Sequence, residues 1–283
     1  MRGSAPSMKL LRPRTPREAV RAYGGNPDAT PLAGGTDFMV RWNAGLLDDR
    51  TLLDLSALKA WTHIRAGRSG LRIGALATHS QLRDDPRIRR DYPLLAQACA
   101  VIGGEQIQNR GTLGGNIGNA SPAGDTFTPL AVYEAVVRTV SPAGERTLPF
   151  LDVFAEVKKT TLRRAELISA VELPPAARPT RQLFRKVGTR AAQAISKLSA
   201  AGLLWLKRDG AVKELRFALG SVAPTVRRLA TVESFLRGNK LTRAVIAEAC
   251  VRVQRDISPI DDIRSTREYR LETSRRILRS FLE

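Results

Sequence analysis

Two short glycine-rich stretches carry the residue types and spacing in this chain best suited to chemistry. One is Leu32-Ala33-Gly34-Gly35-Thr36-Asp37; the other is Gly111-Thr112-Leu113-Gly114-Gly115-Asn116-Ile117-Gly118-Asn119, closing on Ser121-Pro122-Ala123-Gly124-Asp125. Adjacent glycines let backbone N–H groups approach a bulky anion with no Cβ in the way, and they accept positive φ. The hydroxyl and polar side chains that follow can hydrogen-bond phosphate or ribose. Two such loops can grip one dinucleotide from both sides. A single glycine pair is ordinary turn chemistry, so the reading rests on the two stretches together. No G-x-G-x-x-G window lies between a strand and a helix, and a Walker loop is absent.

Other chemistry is poorly supplied. The only histidines are His63 and His79, in segments that read as structural, and no serine sits in a nucleophile elbow. There is no H-x-x-x-H and no carboxylate cluster at ligand spacing. Cys99 and Cys250 are far apart with no C-x-x-C, which argues against an iron-sulfur cluster or structural zinc. No catalytic residue and no metal ligand is therefore assigned to this chain. Any reaction must use a borrowed group, a cofactor that the protein positions and tunes.

The chain has 283 residues, enough for two or three compact units, and is 43% hydrophobic. No apolar run has the length of a membrane span. The start, Met1-Arg2-Gly3-Ser4, leads into Pro- and Arg-rich sequence rather than an apolar signal region and reads as a tag. Two lone thiols suit a reducing, cytoplasmic compartment. The formal charge is +19, and residues 158–283 contribute 27 basic against 12 acidic side chains. Few aromatics (5%) and no helix-turn-helix, zinc-finger or RNP signature argue against nucleic acid. A solvated basic surface and the docking of an acidic partner subunit both remain open.

Elements must hold the two stretches. Thr15-Pro16-Arg17-Glu18 reads as a helix start, ended by Gly24-Gly25; Thr30–Ala33 is a strand delivering Gly34 and Gly35 to a loop. A helical turn over Asp37–Trp42 and a strand over Thr51–Leu55 complete a βαββ frame. Paired strands follow at His63–Arg65 and Leu71–Gly74, turning over Gly67–Gly70, then a buried helix over Pro93–Ile102. Another helix is expected over Thr126–Ala135, and Val136–Val140 pairs with Glu145–Phe150. Pro174–Pro179 is a linker. Beyond it, strands over Phe184–Val187, Ala200–Lys207 and Val212–Leu219 precede helices over Thr231–Arg237, Thr242–Val253 and Ser265–Leu282, the last facing Tyr269, Ile277, Leu278 and Phe281 to a core.

Together, the first stretch and Gln106-Ile107-Gln108-Asn109-Arg110-Gly111-Thr112-Leu113-Gly114-Gly115-Asn116 with Asn119–Asp125 resemble the paired FAD motifs of the molybdenum hydroxylase flavoprotein subunits. That family includes the FAD subunit of xanthine dehydrogenases and the medium subunit of carbon monoxide dehydrogenase. The likeness continues through Lys159-Thr160-Thr161-Leu162, Glu166-Leu167-Ile168, Phe184-Arg185-Lys186, Arg190 and Ile195-Ser196, and so covers nearly the whole chain. It implies an α+β protein: a two-lobed FAD-binding fold of the PCMH (vanillyl-alcohol-oxidase-like) type, residues 1–60 and 61–175, followed by a small antiparallel sheet with a helical layer over 180–283.

The resemblance also implies roles. Backbone N–H groups over Leu32–Asp37 and Thr112–Asn116 would cradle the pyrophosphate, with Leu113, Gly114 and Gly115 inside the second cradle and Phe38 and Met39 extending the first contact. The Thr36 and Thr112 hydroxyls and the Asn116 amide would complete the shell. Asp125 would accept from ribityl or ribose hydroxyls, or cap a helix at Thr126. Ile102 and Ile168 would pack on the flat rings, or fill the core. Lys186 would reach the flavin and favour negative charge on the reduced ring, or be a solvated strand lysine. Val187–Ala194 resembles a mobile loop at the flavin edge. Two departures stand out: Glu156-Val157-Lys158 replaces glycines common before Lys159, and Gln108 replaces a common arginine.

The function implied is electron transfer. Electrons would come from a molybdenum-pterin cofactor on a large partner through 2Fe-2S clusters on a small partner to FAD here, then to NAD⁺ or another acceptor. Phe184–Ile195 and Ser258–Arg270 look most like the xanthine dehydrogenase subunit. The alternative is a self-contained FAD-dependent oxidase or reductase of the same fold, which the small histidine-free terminal region disfavours. Replacing Gly115 by a bulky residue should abolish the yellow colour of bound flavin while the terminal domain stays folded, as read by visible absorption and circular dichroism.

Overall fold

The computed structural model describes residues 7–283 except Asp48, Arg68, Ser69 and Ala177. Met1–Ser4, the middle of the Gly67–Gly70 turn and one residue of the 174–179 linker lie outside the described residues.

The first unit runs β1 (Met8–Leu11), α1 (Pro16–Gly25), β2 (Thr30–Leu32), α2 (Phe38–Asn43) and β3 (Arg50–Asp54), with parallel strands in the order β1-β3-β2. Thr15 caps α1 by accepting from the Glu18 amide at 3.2 Å, and Pro16 takes the first helical position. Parallel pairing requires crossovers, which α1 and α2 provide. Ala19, Leu53 and Leu58 form a small core that closes on Leu76 and Leu167 of the next unit.

The second unit contains β4 (Ile64–Gly67), β5 (Gly70–Gly74), α3 (His79–Asp84), α4 (Pro86–Asp91), α5 (Pro93–Ala100), α6 (Glu105–Arg110), α7 (Leu113–Asn119), α8 (Phe127–Val132), β6 (Val136–Ser141), β7 (Gly144–Pro149), β8 (Phe154–Glu156), β9 (Lys159–Thr160) and β10 (Leu167–Leu173). Its main sheet is antiparallel in the order β4-β5-β10-β6-β7. Both expected hairpins form. The central strand β10 was not anticipated, because it is buried on both faces and shows no alternation. Helices α3, α4 and α6, six residues each, were also not read from the sequence.

The second glycine stretch corrects an expectation. Its core is helix α7 and not a loop: Thr112 Oγ1 accepts from the Gly115 amide at 3.0 Å as the N-cap, and Leu113 and Ile117 are fully buried. Glycine is a poor helix former, but packing overrides propensity here. A Cβ on Gly114 would lie 2.6 Å from that of Ala75 and 2.7 Å from the Ala75 carbonyl. Only glycine lets this helix meet the end of β5.

The third unit is β11 (Arg181–Val187), β12 (Leu198–Leu206), β13 (Val212–Gly220), β14 (Arg227–Arg228), α9 (Ala230–Leu236), α10 (Arg243–Arg252) and α11 (Arg267–Leu282), an antiparallel sheet with a helical layer. Leu278 and Phe281 enter its core and Ile277 packs against it. Tyr269 does not: it is 44% exposed, with Lys197 Nζ 5.4 Å from its ring centre. At 3.6 residues per turn it lies about 180° around α11 from Leu278, while its neighbour Arg270 is buried. Helix α8 is wholly buried, and the second unit's core takes in Ala201, Leu203, Ala218 and Val226 from the third unit. No helix among the described residues is long and apolar enough to cross a membrane.

His79, first residue of α3, lies in this interior with its Nδ1 3.8 Å from Cys99 Sγ. Burial lowers its pKa from 6.5 to about 4 and pushes the Cys99 thiol up. A base with a depressed folded pKa takes its proton preferentially in the unfolded chain. The stability that neutral His79 permits is therefore complete above pH 6.5 and is lost as pH falls through 4. The shift is worth roughly 3 kcal/mol. Asp125, raised by burial, titrates with the opposite sign, so a difference measurement is needed. Urea unfolding across this window should show a flatter acid limb for His79→Leu than for the wild type.

Candidate functional site

The first stretch leaves β2 at Leu32 and turns through Gly35 at φ +75 into α2. The Leu32 carbonyl accepts from the Leu55 amide at 2.9 Å, which pins the base of the turn to the strand end. Among the described residues, the amides of Gly34, Gly35, Thr36, Asp37 and Phe38 donate to no protein acceptor; the next, Met39, donates to Gly35 O. Five successive N–H groups without a protein acceptor are the kind of donor set an anion can use. Phe38 is half-buried with its ring 6.3 Å from Trp42, and Met39 is exposed.

The two stretches meet. A Cβ on Gly34 would lie 1.9 Å from the Arg110 carbonyl oxygen and 3.1 Å from Gly111 Cα, so the backbones touch there. Ala33 Cβ lies 3.6 Å from the Cβ position of Gly115. The clasp is tightened by Asn119, whose Nδ2 donates to Asp37 Oδ1 at 3.1 Å while its Oδ1 accepts from Lys158 Nζ at 2.7 Å. Lys158 sits at φ +60 and its amide donates to Ala120 O, itself at φ +47. Lys158 thus holds a left-handed turn without a glycine and adds an ammonium to the clasp.

The second stretch contributes differently from the first. The amides of Leu113, Gly114, Gly115 and Asn116 are committed to Ala77 O, Ala75 O, Thr112 Oγ1 and Thr112 O. The first two dock the helix on the 75–77 segment and the other two start it, so none lines a cradle and an anion here meets side chains. Thr112 is buried as the cap, and Asn116 Oδ1 accepts from Thr126 Oγ1 at 2.7 Å, turning its NH₂ group outward from that bond. Gln108 braces the region: its Nε2 donates to Ala100 O and Ile102 O, each at 3.1 Å, and its Oε1 accepts from Arg83 at 2.7 Å. Ile102 is half-buried in the turn that α6 follows. Ile168 is buried in the main core on β10, one residue before Ser169, whose carbonyl accepts from Ala75 beside Gly114.

Asp125 and Lys186 form a buried pair at 2.6 Å. Lys186 Nζ also donates to Val101 O at 2.8 Å, and Ser196 Oγ donates to Asp125 Oδ1 at 2.5 Å. Burial pushes the Asp125 carboxyl above the usual range, opposed by Lys186 and Ser196. Both carboxylate oxygens are thus engaged within the protein. The helix-capping alternative for Asp125 is not realised, since Thr126 is the N-cap of α8 and no side chain bonds there. Ser196, Gln108 and Lys158 had no role predicted from the sequence; their partners lie across the chain, where spacing carries no signal. In the 188–195 segment, Gln193 adopts φ +51 and its Nε2 lies 3.0 Å from the Cβ position of Gly104, beside the Ile102 turn.

Residues 6–176 match the family described as the FAD binding domain in molybdopterin dehydrogenase, and residues 183–283 match the CO dehydrogenase flavoprotein C-terminal domain. This chain belongs to the FAD-binding subunits of the molybdenum hydroxylase family. Such a subunit is an oxidoreductase component with its own FAD-binding domain. The xanthine dehydrogenase FAD-binding subunit of Escherichia coli is 31% identical over 92% of this chain and 89% of its own length. The glyceraldehyde dehydrogenase medium chain of Sulfolobus acidocaldarius is 27% identical, covering 94% of each. The crystal structure of the Hydrogenophaga pseudoflava carbon monoxide dehydrogenase lacking the Mo-pyranopterin moiety of its molybdenum cofactor superposes at a TM-score of 0.92, with 27% identity over 99% of this chain and 97% of that one.

The chain's own geometry suits the cofactor of this FAD-binding subunit. A diphosphate needs donors and close backbone approach, which the free amides of 34–38 and the Gly34–Arg110 contact provide. Gly34→Ala must push the two stretches apart at their contact. It should lower FAD retention at least about tenfold by isothermal titration, through lost preorganisation, while the C-terminal sheet stays folded.

Proposed function

We propose that this subunit binds one FAD between the first stretch (Leu32 to Met39) and the second (Thr112 to Asn116), with Ile102, Ile168, Asp125 and Lys186 around the ribityl and ring end. The observation that carries this is the run of free amides at 34–38 closed against the second stretch within a domain of this family. The amides would hold the diphosphate, with Thr36 and the Asn116 NH₂ group as further donors. Ile102, half-buried and next to the Val101 carbonyl that holds Lys186, offers an apolar face, and Ile168 lies in the core on β10. In this reading the units 1–60 and 61–175 are two lobes that enclose the cofactor, and the terminal domain, 180–283, supplies Lys186.

Bound FAD supplies the redox step, accepting electrons singly and releasing them in pairs. The protein's part is to hold the cofactor, to exclude water around the buried pair and to keep a cation beside the ring. Relatives described as "medium chain" and "FAD-binding subunit" support a complex in which electrons come from a molybdenum-pterin large subunit through 2Fe-2S clusters on a small one. The excess of 27 basic over 12 acidic residues after residue 157 supports docking of an acidic partner face. NAD⁺ is the favoured acceptor, by likeness to the xanthine dehydrogenase subunit over 184–195 and 258–270, and the cytoplasm is the favoured compartment. The oxidised substrate is chosen on the large subunit.

Purified with its native partners, the chain should be yellow and bring molybdenum and iron with it in metal analysis. Anaerobic xanthine or aldehyde should bleach the flavin only in that complex. Direct, rapid bleaching by an organic substrate in the isolated chain would reject the electron-transfer role.

A further inference from the structure

A line of buried polar contacts runs from the last helix to the Asp125–Lys186 pair. Arg270 on α11 is 4% exposed, and its guanidinium donates to Ser221 O at 2.7 Å and to Asp262 at 2.7 Å. Ser221, at φ +62, donates through Oγ to Ser196 O at 3.1 Å and through its amide to Pro122 O at 2.9 Å. Ser196 is 1% exposed and donates its hydroxyl to Asp125 Oδ1. Asp125 Oδ2 then holds Lys186, which also bonds Val101 O next to Ile102. Ser196 also closes the 188–195 segment, one residue before Lys197, whose amide donates to Val187 O.

Building on the FAD reading above, we infer that Ser196 is a positioning residue for the flavin: by pinning Asp125 it holds the Lys186 ammonium at the Val101 turn with its charge balanced. A carboxylate buried to this degree needs donors on both oxygens. Oδ2 has the ammonium and Oδ1 has the Ser196 hydroxyl. Removing that hydroxyl leaves a buried acceptor unpaired, which costs more than the bond alone is worth. The carboxyl then swings away or takes a proton, and in both cases the ammonium next to the ring loses its counter-charge. An uncompensated cation favours the more negative, reduced form of the flavin.

The test uses the full chain reconstituted with FAD, with spectroelectrochemical titration of its reduction potential. Ser196→Ala should raise the two-electron reduction equilibrium about tenfold, an upward shift of about 30 mV. FAD affinity should stay within about threefold, a small change in binding free energy. Ser196→Thr, which restores the hydroxyl, should return to the wild-type potential, and Lys186→Met should move it the other way. If Ser196→Ala does not fold, Ser196→Cys keeps nearly the same shape with a poor donor and should show the same upward shift. Stoichiometric FAD in every variant with unchanged potentials would overturn the positioning role and leave the FAD reading intact. A wild-type chain that takes up no FAD would overturn the FAD reading, and the positioning role with it.

Discussion

The structure depends on one short contact, that of the Gly34 backbone with the Arg110 carbonyl. The parallel sheet β1-β3-β2 fixes where Leu32 releases the chain, and α6 fixes where Arg110 delivers its carbonyl. Beneath the junction, neutral His79 lies 3.0 Å from the Cβ position of Gly111, so the second backbone cannot retreat inward. Above it, Asp37, Asn119 and Lys158 tie the rims together. Each partner is placed by a different unit of secondary structure, and a single methyl group is the margin by which they fit.

Charge is handled differently at the two ends of the proposed site. At the glycine end the donors are main-chain amides, which carry partial positive charge, require no counter-ion and cannot be titrated away. At the Lys186 end the charge is a full cation, and the protein neutralises it with Asp125 before any ligand arrives. A buried pair of this kind contributes little net stability, yet removing one partner is strongly destabilising, which favours keeping both. The large basic excess lies elsewhere, on exposed arginines of the terminal half, where solvent screening limits its effect on the site.

Much of this was legible from residue types alone. Thr15-Pro16 announced α1, the glycine pair at 34–35 announced a turn with positive φ, and two hairpins followed from alternation. What stayed hidden was long-range. Gly114 looks like a loop glycine until Ala75 is seen against it, and then it is a packing glycine inside a helix. Strand β10 shows no period because both its faces are covered. Ser196 stands in a recognisable dipeptide, but its partner Asp125 is 71 residues away and only the fold joins them. Sequence pattern groups Tyr269 with the core face of α11, yet it lies on the side of the helix opposite Leu278.

Helix α8 belongs by sequence to the FAD-binding region, yet its neighbours include β12 and β13 of the following region. Its six residues are all buried, and they are covered from both sides of the linker at 174–179. The boundary visible in family comparisons is therefore not a seam along which the polypeptide can be cut. An evolutionary exchange of either half would have to carry a matching lining for this shared helix, so the two regions are expected to diversify as one inherited block.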